Sequence, residues 1–561
     1  NSAPAFNQPL THSGNSWNLE DVTDMRNMFQ GATGFSIANY NIFLYSQANN
    51  SGTNSNININ VSSKYSDATS RTYLTGTKNW TITDLGASSD FVSTWAIPSN
   101  SYSFTLPLKD YANITINWGD GGSTSTHTNA AFPTHTYSSA GTYTITVAVN
   151  DAAKDIGQMY LNTHASRTLI RTITNWGEGK WGSWSNSFKG ATNLTIPATD
   201  EPDLSLTTNM ASAFRDCTSL VGTTLNDWNT AAVTNMQSLF RGATSFNGNI
   251  SSWNTAAVTT MQSMFESATT FNQNINTDGS KWNTADVTNM SNMFSGAHAF
   301  NGNITSWNTA EVVNMSRLFE SARAFNQNIN TNENIWNTAA VTNMSRLFEN
   351  AHVFNGNITS WNTTAVTTMT KMFESARVFN QNISSWNTAA VTNMSYMFNG
   401  AAAFNQNINT SGSLWNTAAV TRMDYMFQGA TVFNGNITSW NTALVTDMRN
   451  MFSGATAFNQ NMSSWNTAAV IRMDYMFNGA TAFNQPLTHS GNSWNLEDVT
   501  HMARMFTNAG LSIANYNVFL YSQANNSGIS SNVTLDASSK YSDATSRTYL
   551  TDTKGWTISD D

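Results

Sequence analysis

One tryptophan-marked pattern dominates this chain. Starting from DWNTAAVTNMQSLFRGATSFNGNIS, it recurs around Trp228, Trp253, Trp282, Trp307, Trp336, Trp361, Trp386, Trp415, Trp440, Trp465 and Trp494, at spacings of 25 or 29 residues. The longer form always carries four extra residues just before the tryptophan, as in FNQNINTDGSKW against FNGNISSW. Upstream, NMASAFRDCTSL and SWSNSFKGATNL are two degraded copies, which makes about thirteen units. Self-similarity at this period means a stack of small units, none able to bury its own apolar face alone.

Within one unit, Val233, Met236, Leu239, Phe240 and Ala243 fall at i, i+3, i+6, i+7 and i+10, one face of a short helix. The next stretch, Phe246-Asn247-Gly248-Asn249-Ile250, puts Phe and Ile on one side of an extended strand and both Asn on the other. The following unit repeats every column with Val258, Met261, Met264, Phe265, Ala268, Phe271 and Ile275. The spacing predicts an α/β solenoid with one short helix and one strand per 25–29-residue unit, over residues 166–508.

The WNTxxVTNMxxMFxGAxxFNxNIxxW unit resembles the 25-residue repeat of BspA-like bacterial surface proteins, leucine-rich-repeat relatives also found in mycoplasma lipoproteins. That resemblance implies a leucine-rich-repeat-like module of an extracellular or cell-surface protein, used in adhesion or scaffolding. It implies no catalytic residues.

The ends of the chain match each other. NQPLTHSGNSWNLEDVT at 7–23 returns letter for letter at 484–500, an offset of 477, and SSKYSDATSRTYLT at 62–75 returns at 538–551. Two readings compete: duplicated flanks in one protein, or a segment of a much larger chain in which the period recurs. The start in mid-repeat, without an initiator Met or a signal-like segment, favours a processed or excised piece of a larger chain. The shared ending departs from the 25-residue pattern, as a closing cap does. It resembles the closing segment of such arrays in marine Bacteroidetes surface proteins. Tyr541, Tyr549, Leu550 and Trp556 match it here, as do Tyr65, Tyr73, Leu74 and Trp80 in the first copy.

Between the first cap and the array, residues 91–149 alternate with period two between Gly- and Ser-rich turns, which predicts a small all-β sandwich. WGDGG at 118–122 and HTYSSAGTYTITV at 135–147 resemble the polycystic-kidney-disease-type immunoglobulin-like domain, a spacer or adhesive module of extracellular proteins. The expected organisation is a preceding module's last repeat and cap at 1–84, an immunoglobulin-like sandwich at 85–165, the array at 166–508 and a cap at 509–561.

Composition narrows the function. Only 11% of the 561 residues are charged, and 25 Lys and Arg face 34 Asp and Glu, for a net charge of −9. No basic face is available to displace counterions, so an electrostatic nucleic-acid binder is excluded. A polybasic membrane-surface protein is disfavoured. No apolar run reaches the ~18–20 residues that span a bilayer, so no membrane insertion is expected of this segment. The lone Cys217 excludes a disulfide framework and a cysteine zinc site.

Weighed singly, most chemical candidates give way to structural readings. Most of the 24 Met sit in two array columns beside Phe, where sulfur–aromatic packing is simpler than copper or partner-helix binding. The Trp column reads as a staple between neighbours, with glycan-binding edges as the alternative. Cys217 takes the place of Ala243 in its unit and reads as a small buried thiol. His298 and His352 have no carboxylate partner at ligand spacing. Asp120 in WGDGG, and Asp200, Glu201 and Asp203, are candidate Ca²⁺ ligands, with a turn Asp and a polar junction loop as the plainer account. Glu266, Asp286, Glu311, Glu320, Glu349 and Asp447 fall at variable positions without the pairing a glycosidase requires. No catalytic fingerprint and no cofactor is expected.

The asparagine columns carry more. Asn247, Asn249, Asn272, Asn274, Asn301 and Asn303 should stand in register on the outer face, where amides bond from rung to rung. The same face is the candidate surface for a glycan or for another copy of the chain. The inserts near 277–281, 330–335, 409–414 and 488–493 should protrude, and protruding loops on a rigid scaffold carry binding. The expected function is a non-enzymatic structural or adhesive repeat module of a large extracellular bacterial protein or appendage. Its expected partners are neighbouring modules or other copies of itself, including a homo-oligomer. The alternative is a receptor-like module that binds a glycan or a protein through the inserts and the Asn face.

Overall fold

The repeat units fold without the helix and strand that their apolar spacing suggests. In the computed structural model, residues 10, 19, 22, 24–29, 37–50, 53–61, 68–83, 90–128, 132–150, 153–276, 282–330, 336–410 and 414–560 are described. They fall into two compact bodies, residues 1–257 and 258–561.

In the first body, β1 (Asp24–Phe29), β2 (Asn58–Val61) and β3 (Thr81–Thr83) form a parallel three-stranded sheet in that order. The crossovers carry α1 (Ile37–Ala48) and α2 (Ala68–Thr72), the latter running on into a wider turn at Tyr73–Thr77. Parallel neighbours need such a crossover. The helix α1 buries Tyr40, Phe43, Leu44 and Gln47, an i, i+3, i+4, i+7 stripe. Phe43 meets Phe29 edge-on at 5.5 Å. Trp80 is buried and donates its indole N–H to the Asn54 carbonyl at 2.8 Å. Tyr65 lies outside the described residues.

Residues 90–181 make a β-domain. Its main sheet contains β4 (Phe91–Ile97), β7 (Asn113–Asn117), β8 (Ser125–Thr128), β10 (Gly141–Val149) and β12 (Ile170–Asn175), ordered β12-β4-β10-β7-β8. A pair, β5 (Tyr102–Thr105) with β9 (Thr134–Tyr137), and a small sheet ordered β13 (Lys180–Trp181), β11 (Asp155–Met159), β6 (Leu108–Lys109) complete it. Alternation along β4 and β10 buries Phe91, Trp95, Ile145 and Val147. Strand β12 comes from LIRTITN, so the segment that leads into the repeats is also an edge strand of this sheet.

From residue 182 to residue 501 the described backbone holds neither an α-helix nor a strand, only isolated single-residue bridges. The expected α/β solenoid of one helix and one strand per unit is thus overturned. Each unit keeps two residues at left-handed φ four positions apart, for example Asn186 and Gly190, Ser212 and Asp216, Ser263 and Ser267, Arg317 and Ser321, Tyr396 and Gly400, Arg504 and Asn508. A left-handed residue stops a right-handed helix at every turn. The N–H donors alternate accordingly. Met264, Glu266 and Ala268 bond three residues back, whereas Met261, Ser263, Phe265 and Ser267 donate to the carbonyls of Asn289, Ser291, Met293 and Ser295 in the next unit. Successive three-residue turns still bring the apolar residues to one face, which is why the spacing imitates a helix.

The second body is held by columns. Phe265, Phe294, Phe319, Phe348, Phe373, Phe398, Phe427, Phe452, Phe477 and Phe506 stack ring on ring at 5.5–5.8 Å. The Val, Met, Ala, second Phe, Ile and Trp columns beside them are buried throughout. Each large apolar side chain so buried contributes about 1.5–3 kcal/mol, enough to hold backbone that lacks a regular ladder. Parallel bridges run from Thr260 through Asn289, Asn314, Asn343, Thr368, Asn393, Arg422, Asp447 and Arg472 to His501.

The body closes on β14 (Met502–Phe506), α3 (Ile513–Ala524), β15 (Thr534–Ala537), α4 (Ala544–Thr548) and β16 (Thr557–Ser559), again a parallel sheet in chain order. The two near-identical segments of sequence therefore fold into the same small βαβαβ arrangement.

Candidate functional site

The asparagines that stand out in the sequence form a ladder in which each amide oxygen accepts a backbone N–H of the next unit and, at Asn301, Asn355, Asn380, Asn434 and Asn459, a Gln side-chain amide as well. The Asn272 Oδ1 accepts the backbone N–H of Asn301 at 2.7 Å. The same bond repeats from Asn301 to Asn326, Asn355, Asn380, Asn405, Asn434, Asn459 and Asn484, ending on the Ser512 N–H, at 2.8–2.9 Å. Each side-chain carbonyl thus stands where a neighbouring strand's backbone carbonyl would be. That substitution is why FNxNI is extended and apolar on one side without being a strand.

The second asparagine column divides by insert. In a long unit it reaches across, as Asn274 accepting from the Asn303 N–H at 2.9 Å; in a short unit it turns locally, as Asn303 accepting from Thr305 N–H and hydroxyl. In the first body, Asn249 makes the local bond to Ser251 N–H, and the Asn247 backbone N–H donates to the Val221 carbonyl. The amide oxygens of Asn249, Asn272, Asn274, Asn301 and Asn303 are engaged within the protein, and a ligand would have to compete for them.

The Trp column is engaged in part, the buried indole N–H groups of Trp228, Trp282 and Trp415 having no partner among the described residues. Trp307, Trp336, Trp361, Trp440 and Trp494 donate their indole N–H to the preceding unit's Ile or Met carbonyl at 2.7–2.9 Å. Buried between units, these rings present no face to a sugar.

Of the four inserts, residues 277–281, 331–335 and 411–413 lie outside the described residues. The fourth is described, and with the closing helix it walls an open cleft of about 490 Å³ lined by Thr488, His489, Asn517, Val518, Tyr521, Ser522, Asn525 and Asp543. The helix α3, capped by the Ser512 hydroxyl, turns Tyr516, Phe519, Leu520 and Gln523 inward, so Tyr521 stands 62% exposed on the other side. Asn517 ties the far wall, donating to the Ser542 hydroxyl at 2.6 Å and accepting from the Ser542 and Asp543 N–H groups. Asp543 caps α4 through the Ser546 N–H at 3.0 Å. The His489 backbone N–H donates to the Ser522 hydroxyl, while its buried Nδ1 finds no partner among the described residues. A phenol, amides, a carboxylate and an imidazole on one cleft suit recognition of a polar ligand. The Ser522 hydroxyl bonds backbone rather than a base, so no activated nucleophile is assembled here.

The candidate calcium ligands are scattered into separate roles. Asp120 accepts the Gly122 N–H and pairs with His135 at 2.7 Å. Burial alone would raise its pKa, but those two bonds carry it below the ordinary carboxylate value. Asp203 turns the chain through the Ser205 N–H. Asp200 receives the Trp176 and Gly177 N–H groups at 2.8 and 2.9 Å, yet burial pushes it up to about 6. Burial, then Asp227, raises Glu201. Among the described residues no group of three His, Cys, Asp or Glu is placed to hold a metal ion. Cys217 is fully buried and its thiol donates to the Phe188 carbonyl at 3.0 Å.

Two features escaped the reading of residues. The left-handed pairs were signalled by a column exchanging Gly242, Gly296 and Gly400 with Asp216, Ser267 and Asn350, the residues that tolerate positive φ. The glycines of FNGNI were signalled by their place: Gly302, Gly356 and Gly435 each follow a unit with an insert, and a Cβ there would meet the preceding Gln carbonyl at 2.1 Å.

Among the described residues no helix is long and apolar enough to cross a membrane. A family model described as "Mycoplasma protein of unknown function, DUF285" matches residues 1–65, 182–279, 275–334, 330–412 and 407–519. A PKD domain model matches residues 90–160. No curated protein and no solved structure matches the chain.

Proposed function

The chain belongs to the DUF285 repeat family and carries a PKD domain, and from that premise we propose that it is a non-enzymatic structural and adhesive module of a large bacterial surface protein. The observation that carries this reading is the continuous ladder from Asn272 to Ser512. Polar groups that an enzyme would spend on substrate are spent here on joining one unit to the next. Neither family description names a reaction. The duplicated cap supports one period of a longer tandem array, and the repeat consensus supports kinship with BspA-like surface proteins. Antibody raised against the chain should label intact, unpermeabilised cells of the source bacterium. Labelling that requires permeabilisation overturns the reading.

The cleft between the fourth insert and α3 favours a second reading, a receptor-like module that binds a polar ligand at this closing segment. Tyr521→Ala, which removes an exposed side chain, should then abolish cell or glycan binding without lowering the melting temperature.

A further inference from the structure

One array column departs from its own rule. The residue after the buried alanine is Thr269, Ala402, Thr431, Thr456 or Thr481 in most units of the second body, but His298, Arg323, His352 and Arg377 in four consecutive ones. The fold does not call for charge at this position, because the same buried columns form around Thr and Ala. The backbone keeps the column in register: Ala324 N–H donates to the His298 carbonyl at 3.1 Å, and Ala403 N–H to the Arg377 carbonyl at 3.0 Å. Arg323 and Arg377 are exposed, and the two histidines are half-buried between and beside them.

Carboxylates nearby are already used. Glu320 pairs with Arg317 and Arg346, Glu349 with Arg346, and Glu374 with Lys371 at 2.9 Å. Among the described residues, neither Arg323 nor Arg377 forms an ion pair. The charges acting on the histidines are cationic: Arg323 on His298, and Arg377 and Arg323 on His352. Val353 and Val378, each 44% exposed, follow the row on its edge and offer apolar contact.

We propose that His298, Arg323, His352 and Arg377 form a binding row for a linear acidic glycan, with carboxylate or sulfate groups recurring about every 10 Å, twice the spacing of neighbouring chain segments. Duplex DNA, with one charge per ~1.7 Å, is far denser than this row. Burial, then the neighbouring guanidinium groups, holds both imidazoles below their ordinary value. At neutral pH the row therefore carries two fixed charges, and it gains two more on acidification, so binding tightens as the pH falls.

The test is retention of the full chain on heparin, polygalacturonate, neutral dextran and duplex DNA, at about pH 5 and about pH 7.5. The two acidic glycans separate sulfate from carboxylate as the preferred group. Binding to at least one of them should strengthen roughly tenfold at the lower pH. R323Q/R377Q should lose roughly tenfold at either pH. H298Q/H352Q should keep the neutral-pH affinity and lose the pH response. R317Q, which removes a cation already paired with Glu320, should behave as wild type. The proposal is overturned by unchanged binding of R323Q/R377Q, by an equal loss in R317Q, by dextran bound as well as the acidic glycans, or by DNA bound more tightly than either. Because these are measurements on purified chain, failure here leaves the surface reading standing, and failure of cell labelling leaves this one standing.

Discussion

At the scale of single residues, burial decides which groups keep their chemistry. Cys217 sits fully buried with its thiol on a carbonyl, and burial raises its pKa well above the ordinary thiol value. It should resist thiol reagents in the native chain and react fully after denaturation; rapid native labelling would show that the core opens. Asp200 is held up at about 6, above its unfolded value. A carboxyl raised on folding stabilises fully below the unfolded pKa, and that stabilisation is lost as the pH climbs through about 6. The loss is on the order of 3 kcal/mol. Urea titrations should show stability falling from about pH 4 to about pH 7, with the slope flattened in Asp200→Asn. Asn380 accepts the Asn405 N–H and the Gln406 amide, so Asn380→Ala should cost about 1 kcal/mol while Asn380→Asp, which keeps the acceptor, costs less. That these asparagines lie in register was legible in their spacing. Their partner was not, because a side-chain oxygen can bond an amide or a backbone N–H equally well, and only the stacking distance selects.

At the scale of the unit, glycine has two different duties. Gly356 lets the Gln327 carbonyl approach to where a Cβ would be, at 2.1 Å, whereas Gly454 has no atom nearer than 3.7 Å and is needed only for its φ of 69°. Gly356→Ala should therefore destabilise by about 3 kcal/mol through overpacking, and Gly454→Ala by about 1 kcal/mol through left-handed strain. Equal effects in denaturant titrations would contradict this division. The apolar columns were legible to the residue, Val233 to Ile250 and their equivalents all being buried. The helix and strand read from them were not there. An i, i+3, i+6, i+7 pattern is compatible with a helix or with successive turns, and the turns won because alternate N–H groups found carbonyls in the next unit.

At the scale of the whole molecule, the described residues hold four α-helices, none longer than twelve residues, and three single-turn 3-10 or π segments. Far-ultraviolet circular dichroism should show a weak helical contribution, and a helix-dominated spectrum would overturn the turn-built units. The small β-domain, the duplicated closing segment and the repeat period could all be read from letters, because period-two alternation, identity and recurrence are properties of the chain alone. So could the inventory of buried residues, since transfer from water depends on side-chain chemistry. The tertiary structure alone decided where each backbone N–H points, which asparagine reaches across and which turns locally, and that the fourth insert meets α3 around a cleft. Those outcomes depend on a neighbour being present at bonding distance, and no residue's own sequence context contains its neighbour in space.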